Sequence, residues 1–339
     1  MTAAPVREGA TAAARPARRR WARWGGRARR GDSAGRGGTA GGSGQGRGRA
    51  RARWARHASA WLWLAPALIL FALFKFVPMA RAISMSFKEV RPYLGDRWVG
   101  LDNYRAVVDD DAFRAAAGHT VVLALGETVG SIVVGLILAL LLEGSARHLW
   151  FVRTAVFLPT VTAMAVVAAL WRVIYYPAPD GALNSVLGWV GLGPGNYLDS
   201  PHSSLWSVMA VGIWRGAPYD MMIFIAGLAG VDRTLYEAAA ADGAGPLRRL
   251  WHVAFPAMRP VFTIVVTLAA IRGLRVFTEI FLLTNGGPNG STEVVMTLVY
   301  KLGLERNELG IASAGSMLLL VGTIVLTLLA QLLRRGNHK

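Results

Sequence analysis

The chain has 339 residues, of which 53% are hydrophobic and only 17% are charged, and its mean hydropathy is +0.38. Soluble domains carry about 25% charged residues, so this composition predicts a membrane protein. The absence of cysteine excludes disulfides and thiolate metal sites, and the absence of a Gly-Lys-Ser/Thr sequence excludes a nucleotide-binding P-loop.

The formal net charge of +17 is concentrated at one end of the chain. The first 60 residues hold fifteen arginines against Glu8 and Asp32, so they account for +13 of the total. Residues 1–58 are rich in Gly, Ala and Arg and too poor in apolar residues to form a core, which predicts a disordered tail. We expect this tail to be attracted to anionic membrane lipid, and we expect no nucleic-acid partner for a chain with such an apolar body.

Six apolar stretches follow, within a predicted membrane domain at residues 59–335. A helix needs about 20 apolar residues to cross the hydrocarbon core of a bilayer, and each stretch is long enough. The sequence therefore predicts an all-α, polytopic membrane protein with six transmembrane helices. The predicted spans lie at about 60–82, 119–142, 154–175, 205–229, 258–283 and 311–333.

The distribution of Arg and Lys between the short loops predicts the orientation of these spans. One side, which includes both termini, carries twenty-four of them against seven on the other side. Because cytoplasmic loops carry the excess of basic residues, we expect a multi-pass protein of the inner or plasma membrane. The N-terminus and the C-terminal tail at 336–339 would both be cytoplasmic.

Several charged side chains fall inside the predicted spans, where charge is costly and usually faces a partner or a cavity. Arg275 and Glu279 are four residues apart, so they are expected to pair on one helix face. Lys75 is placed near the outer end of the first span, from which it could extend to the headgroups. For the buried charges we favour structural pairing over substrate contact: Glu127, Arg215, Arg272, Arg275 and Glu279.

The loop between the fourth and fifth spans has an unusual composition, "LYEAAAADGAGPLRRLWHVAFPAMRP" at 235–260. Thr234 and Glu237 have the spacing of a capping box at a helix start, and four alanines follow. Gly243 suits a left-handed helix end, and Pro246 suits the first position of a second short helix. These features predict two short cytoplasmic helices with a face of alanines that another protein could approach closely.

This loop resembles the Glu-Ala-Ala loop of binding-protein-dependent ABC importer permeases, except that the family usually has Leu where Phe255 stands. Further blocks resemble the same family, namely "WVGLDNY" (98–104), "GLILALLLE" (135–143), a block at 153–187 and "LTNGGPNGSTEVV" (283–295). The Gly-Gly-Pro turn in the last block suggests the carbohydrate-uptake, maltose-type branch and its first permease subunit. The loop residues that carry the resemblance are Glu237, Ala238, Ala239, Asp242, Gly243, Ala244, Phe255 and Pro256.

The resemblance implies a function and a set of partners. The chain would form half of a translocation pore with a second six-span permease subunit, and an extracellular solute-binding protein would deliver a sugar. A dimer of ATP-binding cassette ATPases would hold the loop in a cleft, with polar contacts from Glu237 and Asp242 and a bend at Gly243. The chain itself would bind no cofactor and would not be an enzyme, because ATP is used by the partner subunit.

Aromatic and polar side chains inside or near the spans are candidates for the substrate path, although Trp and Tyr at span ends also serve as interfacial anchors. The candidates are Trp171, Trp214, Arg215, Tyr219 and Asn285. No spacing typical of a metal site is visible.

Two other functions remain open at the level of sequence. A secondary, ion-coupled transporter is disfavoured by the lack of a visible pair of broken helices or of midplane carboxylates. An intramembrane enzyme would need a nucleophile and base or a metal constellation, and none is apparent. The loop at 235–260 could also be an ordinary amphipathic connector.

Overall fold

The computed structural model describes the backbone of residues 61–144 and 146–336, and the side chains among them except at 330, 331 and 333–336. The predicted tail at 1–58 and most of the predicted tail at 336–339 lie outside the described residues. Residues from Ala67 onward belong to one compact unit. The described part is almost entirely helical, as predicted.

The first helix, α1, runs over Trp61–Met85 and includes a π-helical turn at Ala72–Phe76. Its apolar window is unburied and is available to lipid or to another chain, whereas its C-terminal part contacts the last helix of the chain. Lys75 lies in the π turn, and its Nζ is 5.9 Å from the centre of the Phe71 ring, one turn toward the N-terminus. The extension of Lys75 to the headgroups stays a prediction.

A small hairpin departs from the purely helical prediction. Strands β1 (Lys88–Glu89) and β2 (Arg97–Trp98) pair antiparallel, and Phe87 stacks on Trp98 with ring centres 5.6 Å apart. The Arg91 guanidinium, 2.8 Å from Glu89, lowers the pKa of the Glu89 carboxyl. The hairpin precedes the short helix α2, Asp102–Asp109.

Two long helices, α3 (Asp111–Leu141) and α7 (Ser204–Ala229), pack along one another. The helix α3 begins eight residues before the predicted 119, because Asp110 caps it by accepting a hydrogen bond from Ala112 N at 2.8 Å. Gly135 allows the closest approach, since a Cβ there would lie 2.8 Å from the backbone oxygen of Ala217.

Two of the predicted straight spans are broken. In place of a helix at 154–175, α4 (Arg147–Val161) and α5 (Met164–Ile174) meet at 98°. The break falls at Thr162 and Ala163, whose backbones are extended, with ψ of 139° and 133°. In place of 258–283, α10 (Arg259–Leu274) ends before α11 (Thr278–Leu283) begins. A secondary transporter was disfavoured above because no pair of broken helices was visible in the sequence. The two broken spans contradict that argument.

By length and composition, three of the described helices could cross a membrane, or five if each of two bent pairs is one span. Helix α7 is not among them, although its 26 residues would extend about 39 Å at about 1.5 Å per residue. The count of six spans therefore stays a prediction. The remaining helices are α6 (Ala182–Gly188), α8 (Arg233–Ala241), α9 (Pro246–Ala257), α12 (Val295–Tyr300) and α13 (Leu309–Gly336).

Candidate functional site

Helix α8 starts at an aspartate and not at the predicted capping box. The N-cap is Asp232, whose carboxylate accepts a hydrogen bond from Thr234 N at 2.9 Å. This hydrogen bond lowers the pKa of Asp232. The Thr234–Glu237 capping box is wrong because Asp232 already satisfies the first free amide, so the helix begins two residues earlier. As a result, Glu237 is not used as a cap and is exposed.

The end of α8 has the geometry predicted for Gly243. Its φ is +76°, in the left-handed region. The amide of Gly243 donates to Ala240 O at 3.0 Å, and the amide of Ala244 donates to Ala239 O at 2.9 Å. These two hydrogen bonds form a Schellman motif, which satisfies carbonyls at the helix end and turns the chain sharply.

The small residues of α8 form an uncovered surface. Glu237, Ala238, Asp242 and Gly243 are all exposed, and Ala239 is half-buried. Two large apolar side chains of α9 continue this surface, with Leu247 73% and Trp251 64% exposed. Exposed apolar groups of this size beside a bare alanine face are typical of a protein interaction site.

Helix α9 anchors this surface to the membrane helices. Pro246 occupies its first position, as predicted, while Ala254 and the following Met258 are fully buried. Phe255 contacts both Trp251 and Phe262, with ring centres 4.9 and 5.7 Å apart. The next helix, α10, follows α9 directly at an angle of 71°.

A second link joins α8 to the ends of α3 and α4. Arg153 of α4 donates from Nε to Leu142 O at 2.8 Å and from Nη2 to Gly144 O at 2.6 Å, and it thereby caps the C-terminus of α3. Tyr236 of α8 packs nearby, and burial, together with the negative charge of Glu143, raises the pKa of the Tyr236 phenol. We call the loop from Asp232 to Met258 the Glu-Ala-Ala loop, and its Ala254 and Met258 belong to one buried cluster with residues of α3, α7 and α10.

A separate cavity of about 480 Å³ lies between α3, α7, α10 and α11. It is flanked by residues from the middle of α3 and α7, well inside the apolar segments. Its polar lining consists of Glu127, Thr160, Arg215, Tyr219, Arg272, Arg275 and Glu279.

Two ion pairs organise the charges around this cavity. Arg215 Nη1 lies 3.0 Å from Glu279 Oε1, and Arg272 Nη2 lies 2.9 Å from Asp220 Oδ2. The predicted pair of Arg275 with Glu279 is wrong, because the helix breaks between the two residues. Among the described carboxylates, none lies within ion-pair distance of Arg275.

Asp220 is a buried charged residue beside the cavity-lining Arg272 that the sequence interpretation missed. Its side chain is fully buried and pairs with Arg272. The signal was present, since "GAPYDMMIF" places one carboxylate in an otherwise apolar run. Glu127 and Glu279 also both line the cavity, so the supposed lack of midplane carboxylates is contradicted as well.

The structure brings some of the predicted substrate-path residues together. Arg215 and Tyr219 line the cavity. Trp214 contacts Trp171 with ring centres 5.4 Å apart, and neither of these two residues lines the cavity. Asn285 is exposed in the turn after α11, where its carbonyl oxygen accepts a hydrogen bond from Lys301 at 2.9 Å. In the described part of the chain, no group of acidic and histidine side chains could hold a metal ion.

Comparison with known proteins identifies the family. Residues 131–339 match the family described as "Binding-protein-dependent transport system inner membrane component". The chain belongs to this family. It is a permease subunit of an ABC importer and not an enzyme, so the secondary transporter and the intramembrane enzyme are both set aside.

Curated relatives match the permease over most of their length. It is 32% identical over 274 residues to the probable ABC transporter permease protein YurN of Bacillus subtilis, covering 79% of this chain and 93% of the relative. It is 33% identical over 264 residues to the multiple sugar-binding transport system permease protein MsmF of Streptococcus mutans, covering 77% and 90%.

A solved structure supports the fold. The permease is similar to a chain of a bacterial ABC transporter that imports the acidic polysaccharide alginate, with a TM-score of 0.76 and 26% identity. The similarity covers 86% of this chain and 100% of that one. The permease is also similar to a chain of a bacterial alginate ABC transporter solved in complex with a periplasmic protein that carries an alginate pentasaccharide, with a TM-score of 0.74 and 25% identity.

Proposed function

We propose that this permease forms half of the pore of a sugar or oligosaccharide importer and couples to a separate ATPase through the Glu-Ala-Ala loop. The observation that carries the proposal is the exposed alanine face of α8, held in place by a Schellman turn and anchored through α9. A second six-span permease completes the pore, and a solute-binding protein delivers the substrate from outside.

The names of several relatives support a carbohydrate substrate. They include the multiple sugar-binding permease MsmF and the arabinooligosaccharide permease AraP, and the structural neighbour imports alginate. Another relative, UgpA, serves sn-glycerol-3-phosphate. The cavity supports the same class, because sugars are held by side-chain hydrogen bonds and aromatic surfaces, and Tyr219 and Thr160 offer both.

The coupling role assigns a task to each part of the loop. The alanines allow an ATPase cleft to approach the α8 backbone, and Leu247 and Trp251 add apolar contact. Glu237 and Asp242 provide polar contacts at the rim, while Gly243 sets the turn between α8 and α9. ATP is bound by the partner, whose closure moves α9 and, through it, α10.

The orientation follows from this role and from the basic residues. The Glu-Ala-Ala loop must face the cytoplasm to meet an ATPase, which agrees with the excess of Arg and Lys on the side of both termini. The β1–β2 hairpin and the turn after α11 then lie outside, where the solute-binding protein docks.

The test is to place a large side chain on the alanine face. We expect Ala238→Trp to abolish most ATP-dependent uptake by the assembled transporter in proteoliposomes, because an indole would hold the cleft away from α8. The matched control is Ala182→Trp, at an equally exposed alanine that begins α6. Uptake that survives Ala238→Trp as well as it survives Ala182→Trp would refute the coupling role.

A further inference from the structure

Glu127 is a buried carboxylate without a complete set of partners. It lies in the middle of α3, is only 8% exposed and lines the cavity described above. Its Oε1 is inaccessible to solvent and accepts no hydrogen bond from any described residue. A buried acceptor left in this state is costly, and the Glu127 side chain forms part of the cavity wall.

The surrounding helices leave a specific space for this side chain. On α7, a Cβ at Gly212 would lie 2.2 Å from Glu127 Oε1, and a Cβ at Gly216 would lie 3.1 Å from Arg272 Nη2. Two glycines, one turn apart, therefore make room for a carboxylate and a guanidinium side by side. Glu127 fits against α7 only because residue 212 has no side chain.

The neighbouring cations are already engaged with other groups. Arg215 pairs with Glu279, and Arg272 pairs with Asp220. Arg272 also donates to Ser131 Oγ at 3.2 Å. Arg275, at the rim of the cavity, is exposed. None of these arginines donates a hydrogen bond to Glu127 Oε1.

We propose that Glu127 is a specificity-determining residue, whose carboxylate accepts a hydrogen bond from a hydroxyl group of an uncharged, hydroxyl-rich solute in this cavity. The inference rests on the proposed transport function and deepens it. A solute carboxylate or phosphate placed against Glu127 would offer no hydrogen-bond donor to its carboxyl group. A cationic solute would be repelled by the three arginines of the lining, which outnumber its two glutamates.

The experiment measures binding of a panel of neutral disaccharides and their uronic-acid counterparts to the assembled transporter. Tryptophan fluorescence reports binding, since Trp214 adjoins the cavity-lining Arg215. In Glu127→Gln, which keeps the shape but replaces one carboxyl oxygen with an amide group, we expect neutral members to bind about fivefold more weakly, the effect of losing a typical hydrogen bond. Uronic-acid members should bind no more weakly than to the wild type.

Two further variants distinguish a lost contact between residue 127 and the solute from a loss of folding. Glu127→Asp keeps the carboxyl group but withdraws it by one methylene, so it should also weaken neutral binding while it leaves the melting temperature close to that of the wild type. Glu305→Gln is the control, because this glutamate is exposed and does not line the cavity.

The outcomes distinguish this inference from the proposed function. Unchanged neutral binding in both Glu127 variants, or a wild-type complex that binds no neutral member of the panel, would overturn the role of Glu127. ATP-dependent uptake by the wild type is measured in parallel, and its absence would instead contradict the importer function.

Discussion

Gly243 is the residue on which the shape of the Glu-Ala-Ala loop depends most. With φ at +76°, it occupies a conformation that costs other residues about 1–2 kcal/mol. We therefore expect Gly243→Ala to loosen the end of α8. The amides of Gly243 and Ala244, which bond to Ala240 and Ala239, should exchange with deuterium about tenfold faster.

The control for this change is two residues away. Gly245 has φ of −66° and open space where a Cβ would stand, so Gly245→Ala should leave the same amides protected. Equal exchange in the two variants would mean that the left-handed turn does not hold the loop.

The charged residues around the cavity also show which features the sequence does not predict. The intramembrane charges were visible in the sequence, but their partners were not, because each pair joins two different helices. Arg215 and Glu279 are 64 residues apart, and Arg272 and Asp220 are 52 apart. The i,i+4 rule favoured Arg275 with Glu279 and failed, since it assumes one unbroken helix.

At the scale of helices, the positions of the apolar segments were predictable and their breaks were not. The length and hydropathy of 60–82, 205–229 and 311–333 correspond closely to α1, α7 and α13. The break between α4 and α5 falls at Thr162 and Ala163, a site without glycine or proline, so no local signal marks it. Pro159 lies inside α4, three residues earlier. Packing against other helices, which the sequence does not display, decides such breaks.

The packing of α3 against α7 gives a prediction at this scale. A Cβ at Gly135 would collide with backbone atoms of Ala217 and Met221, at 2.8 and 3.0 Å, which cannot move aside as a side chain can. We expect Gly135→Ala to cost about 1–3 kcal/mol, the range for overpacked cores, and to lower the melting temperature of the purified permease.

Gly118 provides the comparison on the same helix. A Cβ at Gly118 would meet no atom within 4 Å, so Gly118→Ala should keep or raise the melting temperature, by the helix preference of Ala over Gly. A Gly135 variant as stable as the Gly118 variant would show that α3 and α7 are not in tight contact.

At the scale of the whole molecule, the exposed loop and the cavity are connected through continuous helices. Helix α9 leads directly into α10, whose last turn carries Arg272, with Arg275 as its C-cap. The contact of Tyr236 with the Glu143 end of α3 leads along that helix to Glu127. Continuous helices thus join the loop to both walls of the cavity, as the proposed coupling to a separate ATPase requires.

The central claim is that α8 docks on an ATPase subunit, and site-specific crosslinking tests it most directly. The chain has no cysteine of its own, so Ala238→Cys provides a single reactive thiol on the alanine face. Val186→Cys, at a side chain of α6 that is 53% exposed, is the control. We predict that a short bifunctional crosslinker joins residue 238 to the ATPase, and that the yield changes when ATP closes the dimer. Equal labelling of both positions, or no link from residue 238 to the ATPase in a transporter that imports solute, would contradict the account.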